Sequence, residues 1–336
     1  MDVKNPQIKI DFKKYFEFSK EKGFQTKFTR NLNLHGGEPT LLPAEDILLL
    51  ADIWTQTYDE VFKTSRPKTN NGAISIVTNA IKLIQDREYF ERLISSRYTI
   101  SLGISFDMYS QETRSPNTSY RDFEDFFDYA FTKEKVQAGL LVQITQHSLE
   151  HEKEWLQYFE YFTRKYQNKM KASRIVLVNS TTDLLREKKF SRLFKKIREI
   201  ENKLCLEGVF LPWVFYFKHF DLNPSETIGT CGGEKTLCLN NTYTHLGMLC
   251  YYNNKFWFTC PGKTRDSAFS FTEFEEYPRI LRSFYKKDFE ERSKICNGCV
   301  FFNSCSPCVY DLAKNNRVTL FDGVACKKLN SWKIRK

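Results

Sequence analysis

The sequence has no long apolar run, and it has no cysteine before Cys205. No stretch of about 18 apolar residues occurs, which is roughly what a membrane-spanning helix requires. The first residues, Met1 to Pro6, lack the apolar core of a secretory signal peptide. These absences predict a cytoplasmic protein with no membrane partner. In that reducing compartment, clustered cysteines are more often metal ligands than disulfides.

Two kinds of functional motif are also absent. The sequence has no Ser/His/Asp arrangement and no G-x4-G-K phosphate loop. The net charge is +10, but the lysines are spread from Lys4 to Lys336, and the one short basic patch, 194–198, has no nucleic-acid motif beside it. We therefore predict a solvated basic surface and no nucleic-acid partner.

Alternating strand and helix patterns fill the first 200 or so residues. The predicted strands are 31–35, 73–77, 99–106, 136–145 and 174–178, and the predicted helices are 11–22, 44–62, 81–95, 119–132, 150–169 and 184–204. This alternation predicts an α/β fold in which helices wrap parallel strands. Because ligands of such sheets bind beyond the carboxyl ends of the strands, His35 to Glu38, Thr78-Asn79 and Ser105 to Asp107 are expected to converge on one pocket.

The character of the chain changes after about residue 205. The alternation stops, and nine of the ten cysteines lie from Cys231 onward. No Gly/Ser-rich linker separates the two parts. We predict an α/β domain over residues 1–210 and a cysteine-rich domain over residues 225–330.

The cysteine spacing predicts a metal site. Four cysteines follow the pattern C-x2-C-x5-C-x2-C, and a fifth lies eighteen residues further on: Cys296, Cys299, Cys305, Cys308 and Cys326. Upstream lie Cys231, Cys238, Cys250 and Cys260; a predicted hairpin with a turn at Asn253-Asn254 delivers the last of these. Thiolates select zinc, copper(I) or iron–sulfur centres, and nine cysteines suffice for two four-cysteine sites. Spacing alone leaves iron–sulfur and zinc both open.

Three strand-end motifs resemble those of a known family. His35-Gly36-Gly37-Glu38-Pro39 resembles its GGEP motif, Thr78-Asn79 its T-N strand end, and Ser105-Phe106-Asp107 its S-x-D strand end. Together with the cysteines, they make the chain similar, over roughly residues 10–330, to radical SAM enzymes that carry a C-terminal SPASM domain. The resemblance implies a partial (β/α) TIM-like barrel followed by a small cysteine-rich domain. It also implies S-adenosylmethionine (SAM) contacts at Gly36, Gly37, Glu38, Pro39, Thr78, Asn79, Ser105 and Asp107.

The resemblance further implies two auxiliary [4Fe-4S] clusters. One ligand set would be Cys231, Cys238, Cys260 and Cys308, and the other Cys296, Cys299, Cys305 and Cys326. The chain departs from the SPASM pattern in two ways, because the second cysteine block is one residue short and the glycine expected before Cys260 is absent. Cys205 and Cys250 are left over and are expected to be buried apolar residues.

The defining C-x3-C-x2-C motif of the family has no counterpart here, since no cysteine precedes Cys205. In the family those thiolates bind the cluster that generates a 5′-deoxyadenosyl radical from SAM. Three explanations stay open: a fragment or misplaced start, a degenerate paralogue, or a partner chain that supplies the missing strand and loop. We expect the chain as it stands to bind SAM weakly or not at all and to yield no 5′-deoxyadenosine with dithionite.

The function implied by the resemblance is radical modification of a peptide or protein side chain, as in a peptide maturase. The implied partners are a peptide or protein substrate and an active radical SAM chain. One alternative is a catalytically inactive paralogue or fragment that binds a peptide or partner, and another is a zinc-stabilised α/β binding protein. The H-x3-H pair His147 and His151 is interpreted as a surface or capping feature rather than a metal site.

Overall fold

The computed structural model describes most of the first 166 residues and short stretches beyond them. The described residues are 2–21, 31–35, 37–63, 72–107, 117–144, 146–166, 175–179, 192–193, 196–197, 199–200, 203–204, 228–229, 250–252, 255–257, 270–271, 273–274, 276 and 305–306. Among them no helix is both long enough and apolar enough to cross a membrane.

Up to residue 179, the described helices and strands alternate along the chain. The helices are α1 (Gln7–Glu21), α2 (Ala44–Phe62), α3 (Ile81–Gln85), α4 (Arg87–Ile94), α5 (Tyr120–Ala130), α6 (Gln146–Glu150) and α7 (Glu152–Tyr166), with a 3-10 turn at Pro39–Leu41. The strands are β1 (Leu32–Leu34), β2 (Ala73–Thr78), β3 (Thr99–Phe106), β4 (Val136–Ile144), β5 (Ile175–Asn179), β6 (Ile228–Gly229), β7 (Cys250–Tyr252), β8 (Lys255–Trp257), β9 (Ser270–Phe271) and β10 (Cys305–Ser306).

A parallel sheet of five strands organises the first part of the chain, which confirms the predicted α/β class with parallel strands. Its order is β1-β2-β3-β4-β5, so each strand lies beside its predecessor in sequence. The register places Asn33 opposite Ser75 and Ser75 opposite Ser101. Because parallel crossovers are right-handed and all run in one direction, they bring the helices to one face of the sheet.

The helix face of the sheet is apolar and aromatic. Along β3, Ile100, Leu102, Ile104 and Phe106 are buried, and the residues between them are partly exposed. The centroid of the Phe106 ring lies 5.1 to 5.9 Å from the centroids of three other rings. These are Tyr120 and Phe123 of α5 and Phe162 of α7. Pairs at these distances stabilise by about 0.5–1.5 kcal/mol each beyond the burial of their area.

Local sequence signals explain where the helices start. Pro43 precedes α2. Glu45 and Asp46 lie in its first turn, where their negative charges interact favourably with the positive end of the helix dipole. Ser119 and Asp122 form a capping box at the start of α5. Asp86 ends α3 and caps α4 by accepting a hydrogen bond from the Tyr89 N–H at 2.9 Å, so the single helix predicted over 81–95 is two helices.

The chain divides into two compact units. The sheet unit contains residues Lys27–Thr55 and Ser65–Phe217. The terminal unit contains Met1–Thr26, Gln56–Thr64 and Lys218–Lys336. The last junction falls within the predicted boundary region, but the first 26 residues, which the sequence assigns to the α/β domain, group with the C-terminal part.

Within the terminal unit, α1 packs on residues far away in sequence. The Phe16 ring lies 5.3 Å from Tyr58, and Phe12 lies 5.8 Å from Tyr251 on β7. The Tyr251 hydroxyl donates to the Asp11 carboxylate. β7 and β8 form an antiparallel hairpin in which Tyr252 faces Lys255, as predicted for this segment.

Candidate functional site at the carboxyl edge of the sheet

The turn after β1 is tied to the end of β2 by one carboxylate. Glu38 Oε1 accepts hydrogen bonds from the Thr40 and Thr78 hydroxyls, both at 2.6 Å, and from the Thr40 N–H at 3.2 Å. Glu38 Oε2 accepts from the Asn79 N–H at 2.8 Å. Both oxygens of this half-buried side chain are therefore engaged, and the turn cannot move independently of β2.

A second turn, at the end of β2, carries the remaining polar residues of this edge. The Thr78 hydroxyl accepts from the Ala80 N–H at 2.9 Å, and Asn79 Oδ1 accepts from the Ile81 N–H at 3.0 Å, at the start of α3. Ala80 has φ of 62°, which is a left-handed conformation rare outside glycine. Such strain costs about 1–2 kcal/mol, and the hydrogen bonds around it offset that cost.

Gly37 exposes backbone at the same edge. Its φ is 61°, and a Cβ built on it would meet nothing within 4 Å. The backbone angle, rather than lack of space, therefore explains glycine at this position. The open volume beside Gly37 suits the close approach of a ligand. Gly36 lies outside the described residues.

His35 and Pro39 flank this turn. The His35 ring is exposed, yet partial desolvation by its surroundings lowers the pKa of the imidazole from its ordinary value of 6.5. A lowered pKa keeps the ring neutral at pH 7. Pro39 is buried and begins the 3-10 turn.

Ser105 and Asp107 lie at the end of the neighbouring strand β3. Thr78 is in register with Ile104, so Asn79 and Ser105 follow at the same level of adjacent strands. Asp107 is 5 % exposed, and its carbonyl accepts a hydrogen bond from the Tyr120 hydroxyl at 3.4 Å. The sheet thus brings the strand-end residues to one edge, as expected from parallel strands.

The strand-end residues do not share one face. Thr78 belongs to the buried, helix-facing set of β2 together with Ile74 and Ile76. Ser105 belongs to the opposite, partly exposed set of β3. Thr78 therefore anchors the Glu38 turn on the helix-covered face of the sheet. Ser105 is available to a ligand on the opposite face of the sheet.

Two contributors to this edge were not among the sequence-predicted residues. Thr40 is fully buried and donates to Glu38; a hydroxyl two residues after a carboxylate in a turn was the available signal. Tyr89 of α4 donates its hydroxyl to the Leu42 carbonyl at 2.9 Å. Burial first, and the Glu38 carboxylate second, raise the pKa of Tyr89, so its hydroxyl stays protonated and remains a donor. No local sequence signal marks this long-range contact.

The residues at this edge fit the amino-acid part of SAM in their chemistry. Glu38 Oε2 accepts one hydrogen bond from Asn79, and a carboxylate oxygen has two acceptor positions. One position thus remains for an ammonium donor. The Gly37 turn leaves open space beside it.

The predicted metal ligands fall almost entirely outside the described part of the chain. Those outside it are Cys231, Cys238, Cys260, Cys296, Cys299, Cys308 and Cys326. Cys305 is described only as backbone, where it pairs with Ile228 in a parallel β10–β6 ladder. Within the described residues no group of three or more His, Cys, Asp or Glu side chains is arranged to hold a metal.

The pair His147 and His151 lies at the junction of α6 and α7. Their ring centroids are 4.3 Å apart, and the His151 N–H donates to the His147 carbonyl at 3.0 Å. The two residues thus continue the helical hydrogen bonding from α6 into α7, which agrees with a structural interpretation.

No protein-family model, curated protein or solved structure matches this chain. The site is therefore interpreted from its own geometry and from the sequence motifs.

Proposed function

We propose that this chain follows the plan of the radical SAM enzymes with a SPASM domain and acts in the radical modification of a peptide or protein side chain. The observation that carries the proposal is the Glu38 carboxylate. It joins the glycine turn after β1 to Thr78 and Asn79 at the end of β2. This junction is where the GGEP and T-N motifs would hold the methionine part of SAM.

The order of the strands supports the proposal. A doubly wound sheet reverses direction along the chain, whereas a barrel adds every strand on the same side. The order β1-β2-β3-β4-β5 has no reversal, which is the order that a partial TIM-like barrel requires of its first strands. Ser105 and Asp107, on the next strand along, extend the same ligand edge.

The roles of individual residues follow from their contacts. Glu38 would orient the SAM ammonium through Oε2, and Thr40 and Thr78 hold that carboxylate in place. Gly37 would admit the ligand next to the backbone. When bound to a reduced [4Fe-4S] cluster, SAM supplies a 5′-deoxyadenosyl radical. Residues 1–204 contain no thiolate for such a cluster, so a preceding segment of the same protein or an active radical SAM partner chain would have to supply it.

The donor set of the C-terminal part suits two auxiliary [4Fe-4S] clusters. One would use Cys231, Cys238, Cys260 and Cys308, and the other Cys296, Cys299, Cys305 and Cys326. Eight thiolates satisfy two four-cysteine clusters. Their potentials depend on hydrogen bonds and exposure, and both electron transfer and substrate binding are compatible with such clusters.

Metal analysis after anaerobic reconstitution tests this assignment. We expect about eight iron and eight sulfide per chain, falling to about four of each in a variant with Cys296→Ala and Cys299→Ala. Cys250→Ala is the matched control, because Cys250 is not a predicted ligand. Zinc without sulfide would contradict the proposal and support the zinc-stabilised binding protein.

A second candidate is a catalytically inactive paralogue that binds a peptide or a partner chain. The observation that favours it is the absence of cysteine from residues 1–204. We expect weak SAM binding in equilibrium dialysis and no 5′-deoxyadenosine with dithionite from the chain alone. Addition of an active radical SAM partner should produce substrate modification under the first candidate and none under the second. Detection of 5′-deoxyadenosine above a no-enzyme control from the chain alone would contradict both.

A further inference from the structure

Three tyrosines form a continuous series of rings from the carboxyl edge of the sheet to the protein surface. The Tyr120 hydroxyl lies 3.4 Å from the Asp107 carbonyl oxygen, at the end of β3. The centroid of the Tyr120 ring lies 4.2 Å from that of Tyr158 on α7, and the Tyr158 centroid lies 6.0 Å from that of Tyr161. Tyr120 and Tyr158 are half-buried, whereas Tyr161 is 47 % exposed. We call this series the tyrosine path.

Phenylalanine rings flank the tyrosine path. Phe106 lies 5.9 Å from Tyr120, and Phe162 lies 5.2 Å from Tyr158, measured between ring centroids. Packing alone would accept phenylalanine at the tyrosine positions too, because both side chains present the same aromatic ring. The two differ in chemistry, since one-electron oxidation turns a phenol into a long-lived tyrosyl radical, whereas a phenyl ring resists the same oxidant. Oxidation can therefore pass along the tyrosines without spreading to the phenylalanines beside them.

The Glu124 carboxylate accepts hydrogen bonds from both outer tyrosines of the path. The Tyr158 hydroxyl donates to Glu124 Oε1 at 3.3 Å, and the Tyr161 hydroxyl donates to Glu124 Oε2 at 2.9 Å. Lys165 Nζ also donates to Oε2, at 2.7 Å, and so holds the carboxylate in place. Loss of an electron makes a phenol a strong acid, so tyrosine oxidation requires a proton acceptor within hydrogen-bond reach. Glu124 is in position to be that acceptor for both hydroxyls.

Both outer hydroxyls keep their protons until an electron is removed. Burial first, and the Glu124 carboxylate second, raise the pKa of Tyr158. The hydrogen bond to Glu124 raises the pKa of Tyr161. Each of these tyrosines therefore releases its proton together with an electron, and the proton can return along the same hydrogen bond when the electron is replaced.

We propose that the tyrosine path carries oxidation from a radical at the carboxyl edge of the sheet to the protein surface, where a thiol in solution ends it. A carbon-centred radical at the edge takes one electron and one proton from Tyr120, forms a C–H bond and leaves a tyrosyl radical. Tyr158 then gives its electron to Tyr120 and its proton to Glu124, while the Tyr120 oxygen regains a proton from water.

The last steps restore every group on the path. Tyr161 gives its electron to Tyr158 and its proton to Glu124, which returns a proton to Tyr158. A thiol then gives one electron and one proton to Tyr161, Glu124 releases its remaining proton to water, and two thiyl radicals combine into a disulfide. The inference rests on the proposed function for its oxidant, because a radical that misses its substrate would otherwise attack the protein.

Light-driven oxidation of the full chain tests the inference. Ser105 is replaced by p-azidophenylalanine, and a ruthenium(II) polypyridyl photo-oxidant is joined to it by cycloaddition, which leaves the cysteines untouched. A flash with a cobalt(III) quencher generates ruthenium(III) at the edge, and a nitroso spin trap followed by peptide mass spectrometry locates the radical. We expect the trap on Tyr161. In Tyr158→Phe the adduct should disappear from Tyr161 and appear on Tyr120, and in Tyr161→Phe it should appear on Tyr158.

The role of Glu124 is tested by the dependence on added base. In Glu124→Gln the Tyr161 radical should form more slowly, and its rate should rise with the concentration of buffer base, because the buffer then accepts the proton. The wild-type rate should not respond to the buffer. A purely structural role of Glu124 would slow the reaction without creating this dependence.

Tyr129→Phe is the matched control, because its ring lies on the same helix as Tyr120 but packs beside Phe90. It should leave the trapped position unchanged, and each tyrosine-to-phenylalanine change keeps the ring that packs. An adduct that stays on Tyr161 in Tyr158→Phe, or that forms outside the path in the wild type, would overturn the inference. The photo-oxidant needs neither SAM nor iron, so this failure is distinguishable from a failure of the metal analysis.

Discussion

At the scale of single residues, Glu38 connects more groups than any other residue at the candidate site. Its motif was recognisable in the sequence, and so was the position of Thr78 at a strand end. The contributions of Thr40 and Tyr89 were not, because their hydrogen bonds depend on how the turn and α4 fold against β2. The face of the sheet on which each residue lies could not be predicted either. It depends on the register between strands, and no single strand-end motif specifies that register.

Replacement of Glu38 by Gln should destabilise the sheet unit by about 1–3 kcal/mol. An amide offers one acceptor oxygen and one donor nitrogen, so either orientation sets its NH2 group against an N–H, of Asn79 or of Thr40. Urea unfolding measures the loss. Glu45→Gln is the matched control, since the Glu45–Arg92 pair at 3.2 Å is exposed and should contribute little. Equal stabilities for the two variants would contradict this role of Glu38.

Glu152 should give the protein part of its acid sensitivity. Its buried carboxylate accepts hydrogen bonds of 2.6 to 2.8 Å from Arg192 and Lys196. Burial alone would raise the pKa of Glu152, but these two cations lower it below the ordinary value of 4.5. A carboxylate with a lowered pKa stabilises the fold above its unfolded-state pKa, and that stability is lost as the pH falls through the folded-state pKa.

The stability difference between wild type and Glu152→Gln should therefore stay constant from about pH 7 to pH 5 and shrink below about pH 4.5. Thermal unfolding at a series of pH values measures it. Glu154→Gln changes an exposed carboxylate on the same helix and serves as the control. A difference that does not change between pH 6 and pH 3 would show that Glu152 is not the titrating group.

At the scale of helices and strands, the sequence predicted the sheet better than the helix boundaries. The bounds of α2 and β3 agree with the prediction because Pro43 and the alternation from Thr99 to Phe106 are strong local signals. The division between α3 and α4 was missed, since the apolar spacing continues across Asp86. Only the hydrogen bond from the Tyr89 N–H to Asp86 distinguishes a new helix start from a continuing helix.

The capping box of α5 should contribute about 1 kcal/mol to stability. The Ser119 hydroxyl accepts from the Asp122 N–H at 3.3 Å, and the Ser119 N–H donates to the Asp122 carboxylate at 2.7 Å. Ser119→Ala removes the first of these bonds, so urea unfolding should show a loss of that size. Ser119→Thr keeps the hydroxyl and should be close to wild type. If both variants are equally destabilised, the effect does not come from the cap.

At the scale of the whole molecule, the two compact units should respond differently to loss of metal. All eight predicted cysteine ligands belong to the terminal unit, and so does α1, which packs on Tyr251 and Phe274. Sequence alone assigned α1 to the α/β domain because its amphipathic pattern does not say which partner it covers. The contact with Tyr251, 240 residues away, is visible only in three dimensions.

Removal of iron from the reconstituted chain, by chelation after oxidation, should increase hydrogen exchange in α1 and leave β3 unchanged. The reason is that α1 depends on a segment between the predicted ligands, whereas β3 is buried within the sheet unit. Hydrogen exchange measured by mass spectrometry resolves the two peptides. A variant with Cys296→Ala and Cys299→Ala should already show part of the increase in α1. Equal increases in α1 and β3 would show that the effect of metal loss is not confined to the terminal unit.

The long separation between α1 and β7 also has a consequence for synthesis on the ribosome. Neighbouring strands of the sheet are close in sequence, so that part can assemble while the chain is still emerging. The contacts of Phe16 with α2 can also form early, but Phe12 and Phe18 wait for Tyr251 and Phe274. At about 5–20 residues per second, these apolar rings stay without their final cover for on the order of 10 to 50 seconds. During that interval we expect a holding chaperone to bind the exposed rings of this nascent segment.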